Sequence, residues 1–424
     1  MENSTLNNKN ILIVTEGFTF GGLETHLIGK IKVLNNLSYK VFLAVGKNFA
    51  ESNLPASSCE KIFRGMNLSL ESTSQDFVTT VSQLTEIINE NNISVVDAHP
   101  FLSVLPAFFA ANLNKVRFCY TLHGPASVME FYGSLVDGLT KHLIFPYASL
   151  VAHVSPELKE LTKGLVSAKR SKVYRNAISI HSEAKHSLLP LKSITVCLAS
   201  RLDSFKVEGI KAFLSVAPAH CIERIDIYGD GPETENLAEW ISEEIMDGRP
   251  QVALRGLSLQ IDQVYEQTDL VAGMGRVVLE GAAANKPVLL IGYDGVKGLL
   301  DKKRMHQAAK TNFSGRGLES ISEDELVRQF NRLLRYPESY KLRDWVDKNA
   351  NQEMVWSSFV KDVSVSPIKK SRLVADVYKC FENTISPIPY YLDPVLHGKV
   401  EKIINAVIQK KIKSRSVYAN SGNN

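Results

Sequence analysis

Paired cysteines, long apolar runs and a distributed excess of one charge are all missing from this chain. Its 424 residues hold five cysteines, Cys59, Cys119, Cys197, Cys221 and Cys380. None stands in the close pairs that a structural zinc site or a disulfide framework uses, so a reducing, cytoplasmic setting is expected. Residues 1–10 are polar, and the first apolar run, 11–14, is far shorter than a signal-peptide core or a membrane span, so neither is expected. The net charge is +4, and Lys402, Lys410, Lys411, Lys413 and Arg415 against Glu401 account for all of it. The balanced remainder lacks a basic, aromatic-interleaved groove pattern, which argues against nucleic acid as a partner. A basic segment at 400–424 suits peripheral contact with an anionic membrane, at the inner face of the plasma membrane, and equally a solvated tail or an amphipathic helix packed on the body.

What is present is enough apolar sequence, 44% of residues, to fill two cores, and a chain of this length is too long for one. Apolar runs at 10–15, 41–45, 93–98, 116–122, 150–154 and 172–174 read as strands. Helical stretches alternate with them, among them one with Leu23, Leu27, Ile31 and Leu34 at helical spacing and one at 81–90. After a polar stretch at 179–191 the alternation resumes, with strands at 194–199, 224–228, 251–254, 269–272 and 287–291. Strands apolar on both faces and separated by helices imply parallel sheets covered on both sides. The expected fold class is therefore α/β, two Rossmann-like parallel domains facing each other across a cleft. Residues 1–185 form the N-terminal domain, 190–350 the C-terminal one, and 351–424 helices that return to the first domain and end in the basic tail. Ligands of such sheets gather beyond the carboxyl ends of the strands.

The stretch 272–290 reads as strand, glycine turn, helix and strand. Gly273 and Gly275 permit a turn against a ligand, and Arg276 and the positive end of the helix attract a phosphate. Glu280 can accept hydrogen bonds from a ribose diol, although an acidic residue early in a helix is also favoured for stability alone. Arg201 and Lys206 follow the first strand of the second domain, where two cations can meet a diphosphate or simply face solvent. Gly229 and Gly231 form a turn that suits close packing under a base, and Gly21 and Gly22 open the first helix, for a substrate or for the turn itself. His99 and His123 each follow a strand, a position more often structural than catalytic. Gly124 leaves space beside His123, and the loop 125–138, with Met129, Phe131 and Tyr132, is a candidate acceptor side together with His99.

Taken together, Gly21-Gly22-Leu23-Glu24, His123-Gly124, Val154-Ser155, Asn176-Ala177-Ile178, the run from Arg201 to Lys206, Gly229-Asp230-Gly231-Pro232, and the run from Gly275 to Glu280 leading to Lys286-Pro287-Val288 resemble a known set. It is that of the retaining, nucleotide-sugar-dependent glycosyltransferases of the GT-B fold, of the group 1 or family 4 type, across most of residues 10–363. The resemblance implies transfer of a sugar from a nucleoside diphosphate to a glycan or lipid-linked acceptor, with retention of configuration. Bacterial capsule, lipopolysaccharide or teichoic-acid synthesis is the implied setting. It also implies that Arg201 and Lys206 neutralise the donor diphosphate, that Glu280 holds the ribose, that Gly275 faces the phosphates, and that His123 lies near the donor sugar. No metal and no cofactor are implied, and no Asp-any-Asp pair stands at a strand end.

The chain departs from the pattern once. The family usually carries a second glutamate eight positions before the ribose-binding one, and that position is Ala272. Arg276 is a candidate to compensate. The departure motivates a second reading, a catalytically silent homologue that binds an acceptor or stabilises a partner. A third is a nucleotide-sugar epimerase of the same two-domain architecture, which the paired glycines and the cationic loop disfavour.

Overall fold

The computed structural model describes residues 8–420 apart from 20, 51–53, 55, 56, 129–132, 181–192, 246–249, 259 and 370. The chain divides into two compact units. One comprises Met1–Val154, Leu158–Tyr174 and Trp356–Asn424, the other Ser155–Glu157 and Arg175–Val355.

The first unit is built on seven strands: β1 (Asn10–Phe18), β2 (Lys40–Phe49), β3 (Lys61–Phe63), β4 (Val95–Ala98), β5 (Arg117–Leu122), β6 (Leu150–His153) and β7 (Ser171–Val173). They lie in the order β3-β2-β1-β4-β5-β6-β7, and every pairing is parallel. The central strands are buried throughout because residues such as Leu12, Val14, Val96 and Val151 meet helices rather than solvent. The segments Arg372–Glu382 and Pro394–Asn420 are helical and belong to this unit. Leu396, Val400 and Ile404 of the second helix are buried in its core, with Ile403 and Ile408 packed against it. These five side chains therefore face protein, the packing on the body that the sequence offered as one alternative for this segment.

The second unit has six strands: β8 (Ile194–Ala199), β9 (Ile222–Tyr228), β10 (Gln251–Gly256), β11 (Leu270–Gly273), β12 (Val288–Gly292) and β13 (Gly295–Leu299), in the order β10-β9-β8-β11-β12-β13. All pairings are parallel except β12 with β13. That edge hairpin corrects the expectation of a purely parallel sheet; its two-residue connection is too short for a crossover. Alternate residues of β12 feed separate cores, Leu289 and Ile291 one, Val288 and Leu290 the other, so both faces of the sheet are covered. The long segment of this unit begins at Arg175, ahead of the polar stretch at 179–191, much of which lies outside the described residues. The cause is local: the Ile178 N–H donates to the Ala350 carbonyl at 2.8 Å, and the Gln352 N–H to the Ile178 carbonyl at 3.1 Å.

His153 closes β6 with its side chain fully buried. Its Nδ1 donates to the Lys172 carbonyl at 3.0 Å, which leaves Nε2 to accept from the Thr162 hydroxyl at 2.7 Å. Burial pushes its pKa down from 6.5 to about 4. In this window the unfolded chain binds a proton that the folded chain refuses, so the stabilisation is complete above about 6.5 and declines as pH falls towards 4. Denaturant unfolding of the protein should show this decline, steeper than in His153→Asn by about 1.4 kcal/mol per pH unit. Identical slopes in the two proteins would contradict a neutral, buried His153.

Candidate active site

In the first unit, β4 and β5 are neighbours in the sheet, so the residues that follow them, His99 and His123, emerge side by side. His99 Nδ1 lies 2.8 Å from His123 Nε2, and His99 Nε2 lies 3.1 Å from Asp97 Oδ2. The same carboxylate oxygen meets Lys30 Nζ at 2.6 Å, and Asp97 Oδ1 accepts from the Thr121 hydroxyl at 3.2 Å. Lys30 comes from the helix Gly22–Asn36, which also brings His26 to within 4.7 Å, ring centre to ring centre, of His123. Aromatic rings complete the surroundings of the Lys30 ammonium, with Phe359 3.6 Å and Trp356 4.9 Å away.

The electrostatics follow from depth. Burial alone would raise the Asp97 pKa, but Lys30 and His99 outweigh it and hold the carboxyl well below the usual range. Burial lowers His99 although Asp97 opposes it, and burial, with His99 and the Lys30 ammonium disfavouring a second positive charge beside them, lowers His123. Both imidazoles are therefore neutral at pH 7. The nitrogens of His26, His99 and His123 lie within 4.8 Å of one another, a spacing compatible with a metal ion. The direct His99–His123 hydrogen bond and the adjacent Lys30 cation argue against one.

His99 is fully buried with both ring nitrogens engaged, so it does not face an acceptor as the sequence suggested. His123 is partly exposed. A Cβ on Gly124 would meet nothing within 4 Å among the described residues and its backbone is extended, so these residues leave space at Gly124, next to His123. Gly21 and Gly22 are exposed at the start of their helix, where Gly21 is extended and a Cβ there would lie 3.0 Å from Glu24. Phe131 and Tyr132, with Met129, lie outside the described residues.

In the second unit β8 and β11 are neighbours, and both lead into loops that carry candidate residues. After β8, Asp203 caps the helix Ser204–Val216 by accepting from the Lys206 N–H at 3.2 Å. The same carboxylate gathers both cations, with Arg201 Nε 3.7 Å and Lys206 Nζ 3.4 Å from Asp203 Oδ2. The Arg201 side chain remains 65% exposed, free to turn to another anion. Gly229 and Gly231 have a structural reason: a Cβ on either would collide with the carbonyl oxygen of Ser200 or Leu202, respectively. They hold the cationic loop against the end of β9, which accounts for both glycines without a base.

After β11, a Cβ on Gly273 would lie 2.8 Å from the Ala199 carbonyl, so this glycine lets the two loops approach. Gly275 has φ +63°, which favours glycine, and its N–H donates to the Phe313 carbonyl at 2.8 Å. The N–H of Gly275 itself is thus engaged within the protein, and the amide region expected to face the phosphates is left to the residues that follow it. The helix Arg276–Ala283 has no side-chain cap, and its first-turn amides keep the positive helix end.

Arg276 turns away from that end. Its guanidinium donates to the Ala177 carbonyl at 3.0 Å, and its Nε lies 3.3 Å from Glu280 Oε1. Neither contact leaves it in place of the missing carboxylate. Glu280 sits one turn inside the helix rather than at its start, with its side chain 16% exposed. Burial raises its pKa and Arg276 opposes the rise. Tyr265, buried on the helix Ile261–Gln267, donates its hydroxyl to Glu280 Oε2 at 3.4 Å; burial and the Glu280 charge push the phenol well above its usual pKa. Nothing in the sequence around Tyr265 marked it. Ala272 lies inside β11, fully buried between Leu198 and Leu289, so a glutamate at this position would be in the core and not at a site.

Neither a protein-family model nor a curated protein sequence matches the chain. Solved structures do. The chain is similar to HepE from Anabaena in complex with UDP and glucose, at 18% identity over 84% of this chain and 100% of that one, with a TM-score of 0.63. It is similar to a glycosyltransferase from Rickettsia africae, at 15% identity over 89% and 100%, with a TM-score of 0.65. It is also similar to a protein described as a UDP-N-acetylglucosamine 2-epimerase from Listeria monocytogenes, at 12% identity over 83% and 95%, with a TM-score of 0.55. These likenesses establish the architecture: two Rossmann-like α/β units of the GT-B fold.

Proposed function

We propose that the protein is a glycosyltransferase that moves a sugar from a nucleoside diphosphate to a glycan or lipid-linked acceptor. One observation carries this reading. Gly273 packed on the Ala199 carbonyl brings the cationic loop after β8 beside the uncapped helix after β11. Arg201 and Lys206 then serve a diphosphate together with the amides of the helix's first turn, and Glu280, held by Tyr265 and Arg276, serves the ribose. In the first unit, the space left open beside Gly124 by the described residues suits a sugar hydroxyl that donates to His123. Retention of configuration, and a place in capsule, lipopolysaccharide or teichoic-acid synthesis, rest on the sequence landmarks. Those landmarks also include no metal-binding pair, so cations and helix end do the work of charge neutralisation.

The second reading, a catalytically silent homologue that binds an acceptor or stabilises a partner, rests on the glutamate missing from the sequence pattern. HepE, with its UDP and glucose, and the epimerase-like protein share the fold, so binding and chemistry have to be separated by experiment. No helix among the described residues is long and apolar enough to cross a membrane. Attachment at the inner face of the plasma membrane would fall to the basic residues beyond 409, since Leu396, Val400 and Ile404 before them are buried in the core. A chain ending at residue 409 should then stay folded and lose binding to anionic liposomes; unchanged binding would refute that attachment.

UDP, GDP or ADP should raise the thermal stability, by about 2.7 kcal/mol at a hundred times the dissociation constant of the preferred nucleotide. No shift with any of the three would count against the site. Arg201→Ala and Lys206→Ala should each lower turnover by roughly 100-fold, the scale of losing one group that stabilises developing charge. Full turnover in both variants would remove the cations from the mechanism. Binding by the native protein without turnover of any donor would favour the silent homologue.

A further inference from the structure

The four residues Lys30, Asp97, His99 and His123 form one continuous polar chain through the interior of the first unit. It starts on the helix Gly22–Asn36, passes through β4 and the residue after it, and ends at the partly exposed imidazole after β5. Its links are 2.6 Å, 3.1 Å and 2.8 Å long. A chain of this kind has a direction, and the groups present decide it.

Lys30 has only donors, and an ionised Asp97 only acceptors. His99 Nε2, facing Asp97 Oδ2, must then carry its proton and donate. A neutral His99 has one ring proton, so its Nδ1 is a lone pair. His123 Nε2, facing that lone pair, must donate in turn. A neutral His123 consequently presents an unprotonated Nδ1. Among the described residues that nitrogen has no hydrogen-bond partner, and the space beside Gly124 is open. The reverse direction requires a protonated His99 beside the Lys30 ammonium in a fully buried position, which burial and that charge both oppose.

We infer that Lys30, Asp97 and His99 are positioning residues that fix His123 as its Nε2–H tautomer, so that Nδ1 is held ready to accept a hydrogen bond from a hydroxyl. The assignment deepens the transferase reading and rests on it for the identity of that hydroxyl, which would be one of a sugar. The orientation itself does not depend on any activity. Asp97 supplies direction, Lys30 keeps Asp97 ionised without leaving a bare buried charge, and His99 passes the direction on without changing charge.

The test is to read the tautomer of His123 by nitrogen-15 NMR in the full chain with labelled histidine. Assignment comes from His123→Gln, and His99→Phe and the double variant Lys30→Met with Asp97→Asn are studied alongside. In the native protein at neutral pH, Nε2 should show the protonated and Nδ1 the unprotonated nitrogen signature. In His99→Phe, where the acceptor for Nε2–H is gone, the proton should distribute between both nitrogens. The double variant keeps the interior free of unpaired charge if single changes at Asp97 fail to fold, and should also lose the single tautomer. A native His123 protonated on Nδ1, or a single Nε2–H tautomer that survives both substitutions, would overturn the assignment. So would stoichiometric zinc bound through His26, His99 and His123, because the one lone pair of His99, on Nδ1, would then go to the metal instead of accepting from His123. Where a donor is turned over, His99→Phe should lower kcat by about tenfold, the scale of one oriented hydrogen bond, with KM for the donor little changed. Absence of any turnover would weigh against the transferase reading and leave the NMR result to decide the tautomer.

Discussion

The polar interior of the first unit depends on one buried ion pair, Lys30 with Asp97. Both side chains are entirely removed from solvent, and two such charges are costly to bury unless each is paired and its remaining hydrogen-bonding capacity is met. Here the requirement is met completely on the carboxylate side, by Lys30, His99 and Thr121. The rings of Phe359 and Trp356 face the ammonium. Removing either charge alone would strand the other, at about 3–5 kcal/mol. An arrangement so expensive to perturb is a rigid support, and what it supports is the imidazole at the end of β5.

The second unit solves a different problem, that of holding cations near a surface without burying them. Asp203 does this twice, as the cap of a helix and as a counter-charge for Arg201 and Lys206. At distances of 3.7 and 3.4 Å, on partly exposed groups, these ion pairs are weak and easily exchanged for a stronger anion such as a diphosphate. Glu280 is treated in the opposite way, largely buried and fixed from two sides by Tyr265 and Arg276. The exposed cations and the fixed carboxylate suit the two halves of a nucleotide, whose phosphates carry the charge and whose ribose needs an oriented acceptor.

The strands were legible in the sequence because parallel strands covered on both faces are continuous apolar runs, as in the segment that becomes β1. Lys61–Phe63 and Gly295–Leu299 were not, the first for its brevity and the second because its glycines hide the period. The helix Val104–Leu113 is buried all round and so shows no amphipathic stripe. At the site, glycine turns and strand-end histidines could be read locally. Asp97 looked like one more residue of a strand, since its partner Lys30 is 67 positions away. Tyr265 meets Glu280 from a separate helix, and Arg276 is captured by a carbonyl 99 positions earlier. Counting back eight residues from Glu280 pointed to Ala272 as an altered site residue, whereas folding places that position in the core.

The central claim, transfer of a sugar from a nucleotide donor, is tested most directly by incubating the purified protein with a panel of nucleotide sugars, with and without a cell-envelope extract as acceptor. The readings are release of nucleoside diphosphate and the fate of the sugar. Release should depend on one donor, rise with the extract and leave the sugar attached to extract material. Conversion of a nucleotide sugar to its epimer without acceptor, or no release from any donor under any acceptor, would contradict that claim.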